Sequence, residues 1–378
     1  MFETLSHLAL QQYWWVIISL LASLLVFLMF VQGGQTLIYS LGKTEIQRKM
    51  LVNALGRKWE FTFTTLVTFG GAFFASFPLF YATSFGGAYW VWMAILIFFV
   101  IQAVSYEFRT KPNNFFGQRF FEVLLFLNGL FGTILIGTAV ATFFTGSAFS
   151  IDPINNNVQW QGAAYGLEAV LNFQNVALGL AVFFLARVLA ILYFMNAVEQ
   201  EEIFRKARKR LIWEAGLFLV FFLFFLIKLL LIEGFAYNPE TGTVFMEKYK
   251  YLNNFMEMPL NTAIFLAGVV LVLYGIISSL LKESSKGIWF SGIGTVLTVF
   301  ALFIVAGFNN TAFYPSTYGD LQSSLTIENA SSSEFTLTTM SYVSLLVPFV
   351  LAYIWYAWRA INNKKIDEEE MEEDSHAY

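Results

Sequence analysis

Residues 175–197 read NVALGLAVFFLARVLAILYFMNA, an apolar run whose one charge is Arg187. A bilayer core of about 30 Å is crossed by roughly 20 apolar residues in helical form, so this run is long enough to span it. Working outward, similar runs lie at about 13–39, 62–83, 87–107, 120–145, 212–233, 260–281, 288–308 and 339–361. Polar residues, Gly–Pro–Asn turns and most of the charge collect between them. The chain therefore reads as an all-α polytopic membrane protein of about nine transmembrane helices. The first eight form two four-helix groups and the ninth stands apart.

Composition agrees. Of 378 residues, 57% are hydrophobic, 19% aromatic and only 13% charged, about half the roughly 25% charge of a soluble domain. So large an apolar surplus needs lipid as part of its solvent. With no cysteine, disulfides, iron–sulfur clusters and thiolate metal sites within the chain are excluded. No Lys or Arg precedes the first apolar run, which is too long for a cleaved signal. The net charge of −4 is concentrated near the end, where Asp367 to Glu370, Glu372, Glu373 and Asp374 follow Lys364 and Lys365. Such a run is ordinarily a solvated tail, so residues 1–363 form one membrane domain and 364–378 an acidic cytoplasmic tail.

Basic residues set the orientation. Eighteen of the 22 Lys and Arg fall on one set of alternate loops and two, Lys248 and Lys250, on the other; Arg187 and Lys228 lie inside spans. Lys and Arg favour cytoplasmic loops, so the N-terminus faces outside and the C-terminus is cytoplasmic. The long loops at 146–174, 234–259 and 309–338 then share the outer face.

None of the spans contains a histidine. His7 precedes the first and His376 is near the end. Haem in a membrane bundle usually takes an axial His, and His–carboxylate metal sites fail on the same ground, so redox centres would belong to another chain. Ionisable groups within spans are expensive and mark function. Glu60 opens the second span, Glu122 and Glu214 the fourth and sixth. Arg187 lies mid-way along the fifth and needs a carboxylate or backbone carbonyls. Lys228, late in the sixth, is with Arg187 a candidate for charge pairing inside the membrane, or can snorkel to the interface. Thr62, Thr65 and Thr68 share roughly one face behind Glu60, and Gln102 extends this seam, so Glu60, Gln102 and Glu122 are candidates for proton conduction. Gln32 and Gln35 interrupt the first span and must face other protein. Only that span looks broken, which counts against the alternative of a proton-coupled secondary transporter.

Taken in order, several stretches resemble subunit II of cytochrome bd-type quinol oxidases. GKTEIQRKMLVNALGRKWEFTFTTLVTFGGAFFASFP, Gly42 to Pro78, resembles the family's first cytoplasmic loop and second helix, most recognisably in Trp59 followed by an acid and in GGAFFASFP. YEFRTK from Tyr106 matches the pattern after the third helix, and ASSSEFTLTTMS from Ala330, with Pro348 beyond, resembles the last outer loop and helix. The resemblance implies a haem-free partner of subunit I in a complex that oxidises membrane quinol and reduces dioxygen to water. Two b-type haems and one d-type haem would lie in subunit I. A structural quinone and small single-span accessory subunits occur in the family, and no nucleic acid is involved. The family's proton-pathway acid carries over to Glu60. The chain departs from it at FVQGGQTL from Phe30, which lacks the acids of a GFD-type signature, and at Gln102, where a basic residue is common. A multi-pass protein of the bacterial cytoplasmic membrane follows.

Overall fold

A computed structural model describes residues 2–112, 114–319 and 321–373. Among these residues, eight helices are long and apolar enough to cross a membrane. They are α1 (His7–Gln35), α3 (Tyr89–Phe108), α4 (Gln118–Thr145), α5 (Phe173–Ala197), α6 (Glu201–Leu231), α7 (Pro259–Leu281), α8 (Gly287–Gly307) and α9 (Glu334–Ile361). The second expected span is present as the 18-residue helix α2 (Trp59–Ser76), which Pro78–Tyr81 continues beyond a break at Phe77. Its four threonines, Glu60 and two glycines dilute its apolar character, which is why it falls short of the other eight.

More helices are interrupted than the first alone. In α1, regular turns end at Leu28 and resume at Phe30–Gln35. In α4, Asn128–Gly132 forms a π-helical turn, a distortion often found at functional sites. In α9, the chain turns at Leu345–Leu346 before Val347–Ile361, where Pro348 starts a fresh helix. Helix α6 begins at Glu201, well before the expected apolar start at 212, so its basic first turns project beyond the apolar core.

The two four-helix groups interlock through α1 and α5. Helix α1 runs along α8 and α2, while α5 packs on α4, α6 and the lower part of α1. Small residues allow the closest crossings. A methyl on Gly179 would lie 2.6 Å from the Ile134 carbonyl oxygen, and one on Gly275 would lie 2.5 Å from that of Gly287. Helix α9 leans on the outside, and none of the side chains of Val347–Ile361 is buried.

The three long loops form one cap. Hairpins Phe149–Ile151/Val158–Trp160 and Glu233–Tyr237/Val244–Lys248 are antiparallel, and segment 309–330 threads between them. Ser147 bridges Ser316, Ala236 bridges Thr311, and Phe149 stacks on Tyr314 with centroids 5.4 Å apart. The cap and the first turns of α9 hold the start of α1: Gln11 Nε2 donates to Ser331 Oγ at 2.6 Å and Trp14 Nε1 to Ser341 Oγ of α9 at 3.1 Å. Burial and a hydrogen bond to Glu328 raise the Tyr237 hydroxyl well above its ordinary range.

At the opposite end the acidic tail is not wholly solvated. Ile366 is buried and pairs with the α5–α6 loop, its N–H donating to the Ala197 carbonyl at 2.9 Å while Glu199 N–H donates to its carbonyl at 2.8 Å. Met371 is also buried, so two apolar residues fasten a segment whose charges alone indicated a free tail. His376 lies outside the described residues.

Candidate functional site

The lower half of α1 organises the buried polar groups. Every residue of Phe30–Gln35 is buried, because helices press on it from two sides. A methyl on Gly33 would sit 2.2 Å from the Ala186 carbonyl carbon of α5, and one on Gly129 would sit 2.2 Å from the Gln32 carbonyl oxygen. The glycines thus bring α1, α5 and the π-turn of α4 into backbone contact, and amides projecting there have only protein to bond.

On one side of α1 is an amide ladder. Gln32 Nε2 donates to Gln102 Oε1 at 3.1 Å, and Gln35 Nε2 to the Tyr106 hydroxyl at 3.2 Å. Asn128 Nδ2 donates to the Phe98 carbonyl at 3.0 Å. Gln32 Oε1, Gln35 Oε1, Gln102 Nε2 and Asn128 Oδ1 are buried without a protein partner, a concentration of polar atoms of the kind that ordered water satisfies. Glu122 forms a separate ion pair beyond the ladder. Its Oε1 accepts from Arg109 Nη2 at 2.7 Å and Nε at 3.0 Å, and its Oε2 accepts from the Tyr39 hydroxyl.

On the other side is a second ion pair. Arg187 donates to Glu214 through Nε at 2.8 Å and Nη2 at 2.6 Å, and through Nη1 to Thr36 Oγ1 at 2.7 Å. Arg210 Nε adds a bond to Glu214 Oε1 at 2.7 Å. The Phe183 ring lies 5.3 Å from the Arg187 guanidinium. Planar, bidentate pairing is the strong form of this contact.

The candidates from the sequence are thus not brought together. Gln102 belongs to the ladder, Glu122 is bound by Arg109, and Arg187 by Glu214. Glu60 is exposed on the outer side of α2, although its neighbour Trp59 is buried and stacked on Tyr106 at 5.9 Å. Lys228 is exposed in the last turn of α6, where a cation suits the helix dipole. The threonine seam is not continuous: Thr62 is buried, Thr65 half-buried and Thr68 exposed. Thr64, Thr65 and Thr68 donate to the carbonyls of Glu60, Phe61 and Thr64 within their own helix.

Three residues escaped the sequence reading. Arg109 counted as a loop charge but is 1% exposed. Glu214 counted only as an acid opening the sixth span, yet it is the partner of Arg187. In an antiparallel pair joined by a short loop, residues at similar distances from the turn lie level, and this applies to Arg187 and Glu214. Lys58 is fully buried with its Nζ unbonded, 4.5 Å from the centre of the Trp358 ring. Burial, with Arg57 adjacent, pulls its ammonium down to about 7. Nothing in the local sequence marks Lys58 off from Arg57.

Against known proteins, the family model for cytochrome bd terminal oxidase subunit II matches residues 10–361. The chain belongs to that family. Cytochrome bd-I ubiquinol oxidase subunit 2 of Escherichia coli strain K12 is 25% identical over 376 residues, covering 96% of this chain and 97% of the relative. Cytochrome bd ubiquinol oxidase subunit 2 of Bacillus subtilis is 26% identical over 322 residues, covering 83% and 85%. A chain of the bd oxidase from Geobacillus thermodenitrificans superposes with a TM-score of 0.62 at 14% identity, covering 94% of this chain and 100% of that one, a likeness of fold. This member of the cytochrome bd subunit II family is accordingly a multi-pass membrane protein related to subunits of an oxidoreductase complex.

Proposed function

We propose that this chain is the haem-free subunit of a bd-type terminal oxidase in the bacterial cytoplasmic membrane. It pairs as a heterodimer with subunit I, which carries two b-type haems and one d-type haem. Together they oxidise membrane quinol and reduce dioxygen to water. The observation that carries this reading is the position of histidine. His376 lies near the end of the sequence, and His7, the first residue of α1 rather than a residue before the span, is hydrogen-bonded at its outer end to the Ser332 carbonyl at 3.1 Å. Among the described residues, no three His, Cys, Asp or Glu side chains cluster as metal ligands. In this reading the axial imidazoles come from the partner. The chain's part is to enclose and steady that partner.

The internal charges favour this over the transporter reading. A relay through Glu60, Glu122 and Arg187 would need groups that exchange partners, whereas two of them are held in separate ion pairs and the third faces outward. The basic loops point the N-terminus outside and the C-terminus to the cytoplasm. The packing of the three long loops into one cap supports their lying on a common face.

Glu60 takes part in proton uptake in this reading, at a surface that the partner subunit completes. Support comes from its exposure beside the anchored Trp59 and from the half-bonded amides deeper in the bundle, where Gln102 Nε2, Gln32 Oε1 and Gln35 Oε1 have no protein partner. A structural quinone does not fit the apolar cavity between α6 and α7. That cavity, of about 330 Å³, presents no polar surface, and quinone carbonyls would go unbonded there.

Mild-detergent purification of the tagged chain, followed by a reduced-minus-oxidised spectrum, tests the proposal. Co-purifying b and d haems are expected. A colourless single chain would overturn it.

A further inference from the structure

The cleft between α6 and α7 has two ends of opposite character. At the end where α6 begins is a pocket of about 540 Å³, whose lining includes Arg205, Arg208, Lys209, Ile212 and Leu280. Arg208 is occupied there, donating to the Leu280 carbonyl at 2.9 Å through Nε and pairing with Glu283. That clamp joins the two helices at their ends and leaves Arg205 and Lys209 exposed, with Glu201 at the rim.

Further along the same helices lies the 330 Å³ cavity, bordered by Leu219, Leu223, Val269 and Leu273. Its two threonines are spent, since Thr295 and Thr298 donate to Ser291 and Gly294 carbonyls in their own helix. The path between is marked on α6 by spacing. Arg205, Lys209, Ile212, Gly216, Leu219 and Leu223 recur every three or four residues, which is one helical face. Gly216 on that face is exposed, and a methyl there would meet nothing within 4 Å. From Lys209 to Leu219 the helix rises about 15 Å, half of a roughly 30 Å hydrocarbon core.

We propose that this cleft binds an anionic phospholipid. The phosphate sits at Arg205 and Lys209, and one acyl chain follows the Gly216 groove into the cavity. Charge selects the headgroup, because basic pockets between helices attract anionic lipids. Shape selects the chain, because the groove at Gly216 leads into a cavity lined by aliphatic and aromatic side chains. The tail also needs no hydrogen bond, which matches walls that expose no polar surface.

The test uses the whole complex, purified in mild detergent and delipidated. It is titrated with phosphatidylglycerol, phosphatidylcholine or inorganic phosphate while native mass spectrometry counts bound lipid. One phosphatidylglycerol should bind at least tenfold more tightly than phosphatidylcholine, and phosphate should not displace it. Arg205→Gln with Lys209→Gln should weaken phosphatidylglycerol roughly thirtyfold, taking about a factor of five per basic side chain near the surface. Gly216→Leu, at an open position, should weaken both lipids and keep the preference between them. Equal binding of the two lipids, displacement by phosphate alone, or unchanged binding in either variant would overturn the proposal. So would a co-purifying polypeptide that cross-links to the cleft and shields it from lipid.

Discussion

Glu214→Gln is the most informative single change in this chain. Side-chain exposure is 8% for Arg187 and 2% for Glu214, so both charges were taken out of solvent to meet. Breaking a buried pair costs about 3–5 kcal/mol, because the survivor stays buried and unpaired. After Glu214→Gln, the Arg187 charge keeps the Thr36 hydroxyl, the Phe183 ring and one neutral amide oxygen, but no anion. Arg187→Met is milder, about 2–3 kcal/mol, because Arg210 still reaches Glu214 at 2.7 Å from a side chain that is 47% exposed. Replacing both by Met removes both charges; Arg210 returns to solvent, and Thr36 keeps its bond to the Gly33 carbonyl at 2.7 Å. The double variant should then be more stable than Glu214→Gln alone. At roughly 2.1 cal/mol/K per residue, unfolding 378 residues turns about 4 kcal/mol into a Tm shift of roughly 5 °C. The assay is a thermal ramp of the assembled complex followed by size-exclusion chromatography, with oxygen consumption per haem measured in parallel. Additive losses in the double variant would refute the coupling. A normal Tm with lost turnover per haem would refute the structural role.

Glu60→Gln should slow oxygen reduction severalfold while haem content stays normal; wild-type turnover would remove Glu60 from proton uptake. Lys58 titrates at about 7 in the folded chain against an ordinary 10.5, so between those values the unfolded chain holds a proton that the folded one has released. Stability contributed at Lys58 therefore rises with pH across that window, by up to about 1.4 kcal/mol per pH unit, and is flat below it. Lys58→Met should remove this slope, and a constant difference in Tm between variant and wild type from pH 6 to pH 9 would contradict it. Gly33→Ala drives a methyl into the α5 backbone and should cost about 3 kcal/mol or more of assembly, whereas Gly216→Ala should be silent; equal yields of the two would refute the close-contact reading of Gly33.

What was legible in the sequence follows from how far each signal reaches. Spans are written in runs of neighbouring residues, so eight emerged with their order and the ninth, α2, was found despite its threonines. The π-turn at Asn128–Gly132 leaves no such trace, since it arises where Gly129 yields to the α1 backbone. Gln32 and Gln35 announced a need for partners, but not that Gln102 and Tyr106 would answer it from α3. Arg187 announced the same need, and only the α5–α6 hairpin identifies Glu214. Reading Glu60, Gln102 and Glu122 as one seam assumed that cytoplasmic nearness means contact, whereas the outward turn of Glu60 is decided by Trp59 docking on Tyr106.

The grip of the cap on the start of α1 bears on how the chain is made. Gln11 and Ser331 are 320 residues apart in sequence, and ribosomes add about 5–20 residues each second. Helix α1 therefore enters the membrane roughly 16–64 s before its last partners exist. For that interval its buried amides and indoles have to be sheltered by the insertion machinery or by half-built neighbours. The first helix made is among the last to be finished, so faults of biogenesis should surface there.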